Sequence, residues 1–251
     1  MVPAKSRQAT PWRPKRAMVL AAGLSLRMRP LTENMPKPLV TMAGKPLIDH
    51  ALDRLAEAGI EEVVVNVHYL ADQLERHLRQ RKSPRILISD ERSKLLDTGG
   101  GVAKALPHLG DEPFLICNSD SISSGGASDS LTRLAAMWEA ERMDSLMLLA
   151  SSAHSLGYDG SGDFAMSPDG HLRRGKEREV TPFVFTGFSI AHPRMFKDCP
   201  AGAFSLNLLW DRTIAAGRLY GLRQDGVWMH IGSPAALTAA ERYWEIGELN
   251  F

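Results

Sequence analysis

Apolar positions fall along this chain in two alternating rhythms. Short, mostly apolar runs at Ala17–Ala21, Val63–Val67, Ile86–Ile88, Phe114–Cys117 and Ser145–Leu149 predict buried strands. Between them the spacing turns helical. Leu47, Ile48, Ala51, Leu52 and Leu55 share one helix face, and Gly59 stands where a helix-ending glycine is expected. Leu70–Arg81, Gly100–Leu106 and Ser130–Arg142 carry weaker stripes of the same kind. A βαβα order predicts an α/β fold of three layers, α/β/α, around a mainly parallel mixed sheet. Ligand sites of such sheets lie at the carboxyl ends of the strands.

Beyond residue 150 the pattern shifts to short segments rich in Gly, Asp and Ser. A strand-like run, Pro182–Ile190, follows, then helical stretches at Leu206–Ala216 and Pro234–Ile246. No low-complexity linker and no internal repeat of 20–50 residues separates the two parts, so 16–251 reads as one domain whose second half completes the first. Residues 1–15 hold three prolines and no periodicity, and read as a mobile tail.

Composition narrows the function classes. With 30 Lys+Arg against 29 Asp+Glu among 251 residues, no global field draws in a nucleic-acid polymer or an anionic membrane. An anion site must therefore come from local placement of charge. No apolar run approaches the ~20 residues that span a bilayer, and the start of the chain lacks a signal-peptide core, which predicts a cytoplasmic protein. Two cysteines, Cys117 and Cys199, without CxxC spacing indicate neither a disulfide framework nor a structural zinc.

The most informative stretch runs from Leu20 to Thr32, Leu-Ala-Ala-Gly-Leu-Ser-Leu-Arg-Met-Arg-Pro-Leu-Thr, and is followed by Met35-Pro-Lys-Pro-Leu39. Small residues after a buried strand let the backbone approach a ligand, and successive N–H groups there form an anion-binding concavity. Arg27, Arg29 and Lys37 add fixed positive charge suited to a polyphosphate. Neither GxGxxG nor GxxxxGK[ST] is satisfied, which disfavours a nicotinamide-dependent dehydrogenase and a P-loop enzyme. A glycine turn with solvated arginines is the plainer alternative.

This stretch resembles the signature of the sugar-1-phosphate nucleotidyltransferases, and the resemblance extends over most of residues 16–247. Asp97-Thr-Gly-Gly-Gly101 is similar to that family's base-binding segment, Asn118-Ser-Asp120 to its metal-binding strand end, and Gly162-Asp-Phe164 to a segment near the sugar. Together with Ala201-Gly-Ala-Phe-Ser-Leu206, these make the chain most similar to N-acetylmuramate-1-phosphate uridylyltransferases; mannose-1-phosphate guanylyltransferases are the neighbouring subfamily. The resemblance implies a nucleotide-diphospho-sugar transferase-like, Rossmann-like fold with a nucleotide-binding half, 16–125, and a sugar-phosphate-binding half, 126–251. It also implies attack of a sugar 1-phosphate on the α-phosphorus of a nucleoside triphosphate, in the recycling of cell-wall sugars.

Both reactants are anions, so charge neutralisation and alignment matter more than covalent catalysis. The resemblance carries Arg27 to the β- and γ-phosphates, Lys37 to the α-phosphate and the incoming phosphate, and Asp120 to Mg²⁺, with Mn²⁺ as a second choice. Leu20, Ala21, Ala22, Gly23 and Ser25, with Asp97, Gly99 and Gly100, would seat the nucleotide; Gly99 and Gly100 would contact the base through backbone hydrogen bonds. Asn118, Gly162, Asp163 and Lys176 are the sugar-phosphate candidates. Asp163 also suits a simple turn, and Lys176 a solvated charged loop. The expected assembly is a monomer or small homo-oligomer.

Three departures qualify the picture. Ser25 and Ser119 stand where the family usually has glycine, and His230, in Trp228-Met-His-Ile-Gly232, stands where it commonly has a second metal-binding aspartate. Neutral imidazole binds divalent ions but prefers softer ones than Mg²⁺ and brings no charge. His230 is thus a candidate metal ligand, a phosphate-facing donor, or a residue packed beside Trp228. The same departures keep open a non-catalytic nucleotide or sugar-nucleotide sensor, and a guanylyltransferase using GTP and mannose 1-phosphate is the alternative enzyme.

Overall fold

Strand β1 (Arg16–Leu20) lies at the middle of the main sheet, and its sequence shows why. Ala17 and Val19 face one hydrophobic cluster while Met18 faces another, so a continuous apolar run has both faces covered. The structure is a computed structural model, and it describes residues 12–124 and 129–248. After β1 come β2 (Thr41–Met42), β3 (Lys45–Pro46), α1 (Leu47–Glu57), β4 (Glu62–Val67), α2 (Ala71–Leu78), β5 (Arg85–Asp90) and α3 (Asp97–Leu109). Next are β6 (Phe114–Asn118), β7 (Ser121–Ser124), α4 (Ser130–Met137), β8 (Ser145–Ser151), β9 (Phe164–Met166) and β10 (Leu172–Arg174). The chain closes with β11 (Phe183–Ala191), α5 (Leu206–Ala215), β12 (Leu219–Arg223), β13 (Val227–His230) and α6 (Pro234–Glu248).

Nine of these strands form one mixed sheet. Strands β6, β1, β4 and β5 run parallel to one another, β11 lies antiparallel between β6 and β8, and β12 pairs parallel with β8. Helices α1, α2 and α4 cover one face and α3 and α5 the other, which gives the three layers expected. A separate antiparallel ribbon, β7 with β13, springs from the end of β6 and packs with α6 and Met28 around a third cluster. In β11 the register breaks between Phe185 and Ser189, where Gly187 has φ 92°; a Cβ there would lie 3.0 Å from the Asn118 side chain. The break makes room for the end of β6, next to the site.

Several boundaries differ from the sequence expectation. Helix α3 begins at Asp97 rather than Gly100, so the three glycines lie inside its first turns. Helix α4 stops at Met137 because Trp138 turns to an extended conformation and its ring meets that of Trp12 at 6.0 Å. That contact, and the bonds from Glu61 and Glu62 to the Lys15 carbonyl, draw residues 12–15 into the fold rather than the tail. Residues 1–11 and the expected boundary between halves at 125/126 lie outside the described residues. Strands β2, β3, β7, β9, β10, β12 and β13 were not expected: all are short, and β7 carries serine at three of its four positions.

Candidate active site

The carboxyl ends of β1, β4 and β6 open onto a cleft of about 790 Å³. Its first wall is the turn after β1. Ala21 and Ala22 are buried, Gly23 is exposed, and Ser25 adopts a left-handed conformation, φ 54° and ψ 37°. That conformation favours glycine and accounts for the strain a serine Cβ meets at this position. The turn is held all the same. Thr32 Oγ1 donates to the Ser25 carbonyl at 2.9 Å, and the Tyr69 hydroxyl binds the Thr32 carbonyl at 2.9 Å. Met28, 1% exposed, anchors a short helical turn that leaves Arg27 exposed at the cleft with no side-chain partner among the described residues.

Lys37 lines the cleft from a second short turn, Lys37–Leu39, stiffened by Pro36 and Pro38. Its Nζ is ion-paired with Asp120 Oδ2, and the two side chains are only 12% and 22% exposed. Asp120 follows β6 directly, and Asn118, Ser119 and Asp120 all line the cleft. Burial pushes the Asp120 carboxyl upward, but the charge and hydrogen bond of Lys37 outweigh burial and hold it below the usual aspartate range. Asp120 is therefore an ionised, acceptor-only group at neutral pH. Ser119 is buried without a left-handed backbone, so replacing the family's glycine costs nothing in conformation here.

The ribbon brings His230 near Asp120, though not into the lining of the cleft: β13 pairs His230 with Ser121, the residue after Asp120. Its ring packs over Gly232, which lines the cleft, and lies 5.6 Å from the Trp228 ring. Burial first, then the charges of Lys37 and Arg27, holds the imidazole below its ordinary value despite Asp120. It is neutral at pH 7, with one lone pair to give.

The second wall differs from expectation. Asp97, φ 59°, and Thr98 line the cleft, but Gly99 and Gly100 do not: both donate their N–H to the Phe204 carbonyl, at 2.8 and 3.1 Å. Those donors are committed within the protein, and neither glycine lines the cleft. The glycines are there because another segment comes in close. A Cβ on Gly100 would lie 2.2 Å from the Gly202 carbonyl oxygen, and one on Gly99 2.4 Å from the Phe204 ring. Phe204 N–H also binds the Leu96 carbonyl at 3.2 Å, and Leu206 N–H binds Thr98 Oγ1 at 2.9 Å. This clamp brings Ala203 from the second half of the chain into the cleft wall.

Three sugar-side candidates lie outside this cleft. Asp163 is committed to β11, its carboxylate accepting from Phe185 N–H at 2.8 Å. Gly162, φ 85°, packs against Thr181. Lys176 is exposed in a charged turn whose Glu179 pairs with Arg173 at 2.6 Å. Besides Ala203, from the Ala201–Leu206 motif, the cleft includes two residues that no motif marked, Asn66 and Leu95. Only Asn66 carried a signal, an amide in the middle of an apolar strand. Among the described residues no cluster of three or more His, Cys, Asp or Glu side chains forms a ready-made metal cage.

A cleft at the parallel strand ends, lined by an exposed arginine and a lysine–aspartate pair, is suited to binding an anion. The chain belongs to the nucleotidyl transferase family, whose pattern it matches over residues 16–158, and it is a sugar-1-phosphate nucleotidyltransferase. It is 50% identical to the N-acetylmuramate alpha-1-phosphate uridylyltransferase of Caulobacter vibrioides, over 91% of this chain and 96% of that one. A mannose-1-phosphate guanylyltransferase catalytic subunit beta of Danio rerio is more distant, 30% identical over 87% of this chain and 61% of its own length. The inositol-1-phosphate CTP transferase structure from T. maritima shares the fold, with TM-score 0.75 and 17% identity, covering 95% of this chain and 98% of that one.

Proposed function

We propose that this protein transfers a uridylyl group from UTP to N-acetylmuramate 1-phosphate and releases pyrophosphate. Identity of 50% along nearly the whole chain to an enzyme of that name is the observation that carries the choice of substrates. A reaction consuming UTP suits the cytoplasm, and the product is an activated cell-wall sugar.

In this reading a phosphate oxygen of the sugar 1-phosphate attacks the α-phosphorus of UTP. A new P–O bond forms as the bond to the β-phosphate bridging oxygen breaks, and pyrophosphate carries away the electron pair. Arg27, exposed at the cleft, binds the β- and γ-phosphates with its planar fork and stabilises the departing charge. Lys37 lies between the α-phosphate and the incoming phosphate, lowering the repulsion between two anions. The turn from Ala21 to Gly23 seats the nucleotide through its backbone.

The residues present fit a divalent cation of the Mg²⁺ or Mn²⁺ type. Asp120 is an ionised carboxylate at the cleft, and His230 is a neutral imidazole beside it. Such ions are commonly held by one or two protein ligands together with substrate phosphates and waters. When bound, the cation supplies charge neutralisation at the phosphate oxygens. With a single carboxylate and an imidazole, Mn²⁺ is favoured over Mg²⁺.

Purified protein incubated with UTP or GTP and with N-acetylmuramate 1-phosphate or mannose 1-phosphate tests the proposal through pyrophosphate release. Release with UTP and N-acetylmuramate 1-phosphate is expected; release with GTP and mannose 1-phosphate alone contradicts it. Nucleotide binding without turnover in either metal would favour the sensor reading that His230 motivates.

A further inference from the structure

A chain of hydrogen bonds beneath the cleft joins its two walls. Asn66, in β4, accepts from Ala21 N–H through Oδ1 at 2.7 Å and donates from Nδ2 to Glu91 Oε1 at 2.8 Å. The second oxygen of Glu91 accepts from Leu96 N–H at 3.0 Å. Ala21 belongs to the turn after β1, and Leu96 to the segment that opens α3. Both side chains are buried, Asn66 at 3% and Glu91 at 0% exposed. The partners fix the amide's orientation, because an N–H only donates and a carboxylate only accepts.

A buried carboxylate at this depth is costly unless its oxygens are satisfied, so it persists for something that apolar packing cannot supply. Its backbone is held as well: Glu91 N–H donates to the Val67 carbonyl at 2.8 Å, and its carbonyl lies 2.8 Å from His68 Nδ1. The third glycine of α3 makes room for the pair. A Cβ on Gly101 would lie 2.9 Å from both Asn66 Nδ2 and Glu91 Oε1.

We infer that Asn66, oriented by Glu91, is a positioning residue that sets the spacing between the two walls of the nucleotide seat. The inference rests on the reading of this cleft as the triphosphate site. A wall displaced by about 1 Å loses contacts to the nucleotide, whereas the sugar phosphate approaches from the side of Asp120 and is little affected.

The test is an exchange of donor and acceptor. Asn66→Asp alone sets two carboxylates against each other; Glu91→Gln alone sets an amide N–H against a donor. The double variant, Asn66→Asp with Glu91→Gln, restores the pattern: the new carboxylate in β4 accepts from Ala21 N–H and from the new amide, whose carbonyl oxygen accepts from Leu96 N–H. Wild-type turnover with each triphosphate and sugar phosphate first decides the substrates, and the variants are measured with whichever pair the wild type uses. A wrong substrate assignment therefore leaves the inference open to test.

For Asn66→Asp, KM for the triphosphate and its calorimetric Kd should rise about tenfold or more, while KM for the sugar 1-phosphate stays within roughly twofold. The double variant should return to within about threefold of wild type. If Asn66→Asp does not fold, Asn66→Ala, which removes both the acceptor for Ala21 N–H and the donor to Glu91 without adding charge, should show the same split. A double variant no better than the worse single, equal rises in both KM values, or lowered melting temperatures with unchanged nucleotide affinity would overturn the inference.

Discussion

Lys37 and Asp120 meet as a mostly buried pair, and their partnership decides what substitution does to each. Lys37→Met removes a point charge from between two phosphates and leaves Asp120 facing none. A fall in kcat of about 10²–10³ is expected, measured as pyrophosphate release, with the fold intact by circular dichroism. Lys37→Arg should not rescue it, because a planar fork does not fit where a compact ammonium contacts one carboxylate oxygen. At His230 the neutral ring offers one lone pair. His230→Ala should raise the Mn²⁺ concentration for half-maximal rate by roughly tenfold and change the Mg²⁺ requirement less. Equal effects on both metals would give the histidine a purely packing role beside Trp228.

At the scale of elements, the first turn of α3 shows how a motif can be legible while its reason is not. Asp97-Thr-Gly-Gly-Gly101 was visible as a site segment, and the early helix and strand runs were visible from their apolar periods. The cause of the glycines lies about a hundred residues away, in the carbonyls of Gly202 and Phe204, which no local pattern reports. Asp163 and Lys176 were legible only as residue types: the Asp163 carboxylate accepts from β11, and the backbone N–H of Lys176 binds Glu179 in a surface turn, placements that no local pattern discloses. Gly100→Ala tests the clamp. Its Cβ must displace a backbone carbonyl, at a cost of about 2 kcal/mol and roughly 4–8 °C in Tm. Nucleotide affinity should weaken with it, since Ala203 moves with the clamp.

Across the whole molecule, Asp144, the residue before β8, ties together three segments of the second half of the chain. Its Oδ1 accepts from Arg194 Nε at 2.5 Å and Arg218 Nε at 2.8 Å. Burial pushes this carboxyl upward, but the two guanidinium groups outweigh it and hold it below the usual range. A carboxyl depressed in the folded state stabilises the fold above its unfolded pKa and loses that contribution as pH falls through the folded value. Asp144→Asn should therefore cost about 2 kcal/mol at pH 7, and the gap in Tm from wild type should shrink as pH falls below about 4. A gap unchanged between pH 7 and pH 3 would mean the loss is one of packing.

Everything proposed for the reaction depends on one triphosphate being gripped from both sides of a single cleft. A crystal structure with a non-hydrolysable UTP analogue and Mn²⁺ measures this directly. The prediction is a triphosphate lying between Arg27 and Lys37, the base against the turn of Ala21 and Ala22, and the ion shared by Asp120 and phosphate oxygens. A nucleotide bound elsewhere, or one in this cleft with Arg27 and Asp120 both turned away from its phosphates, would contradict the account.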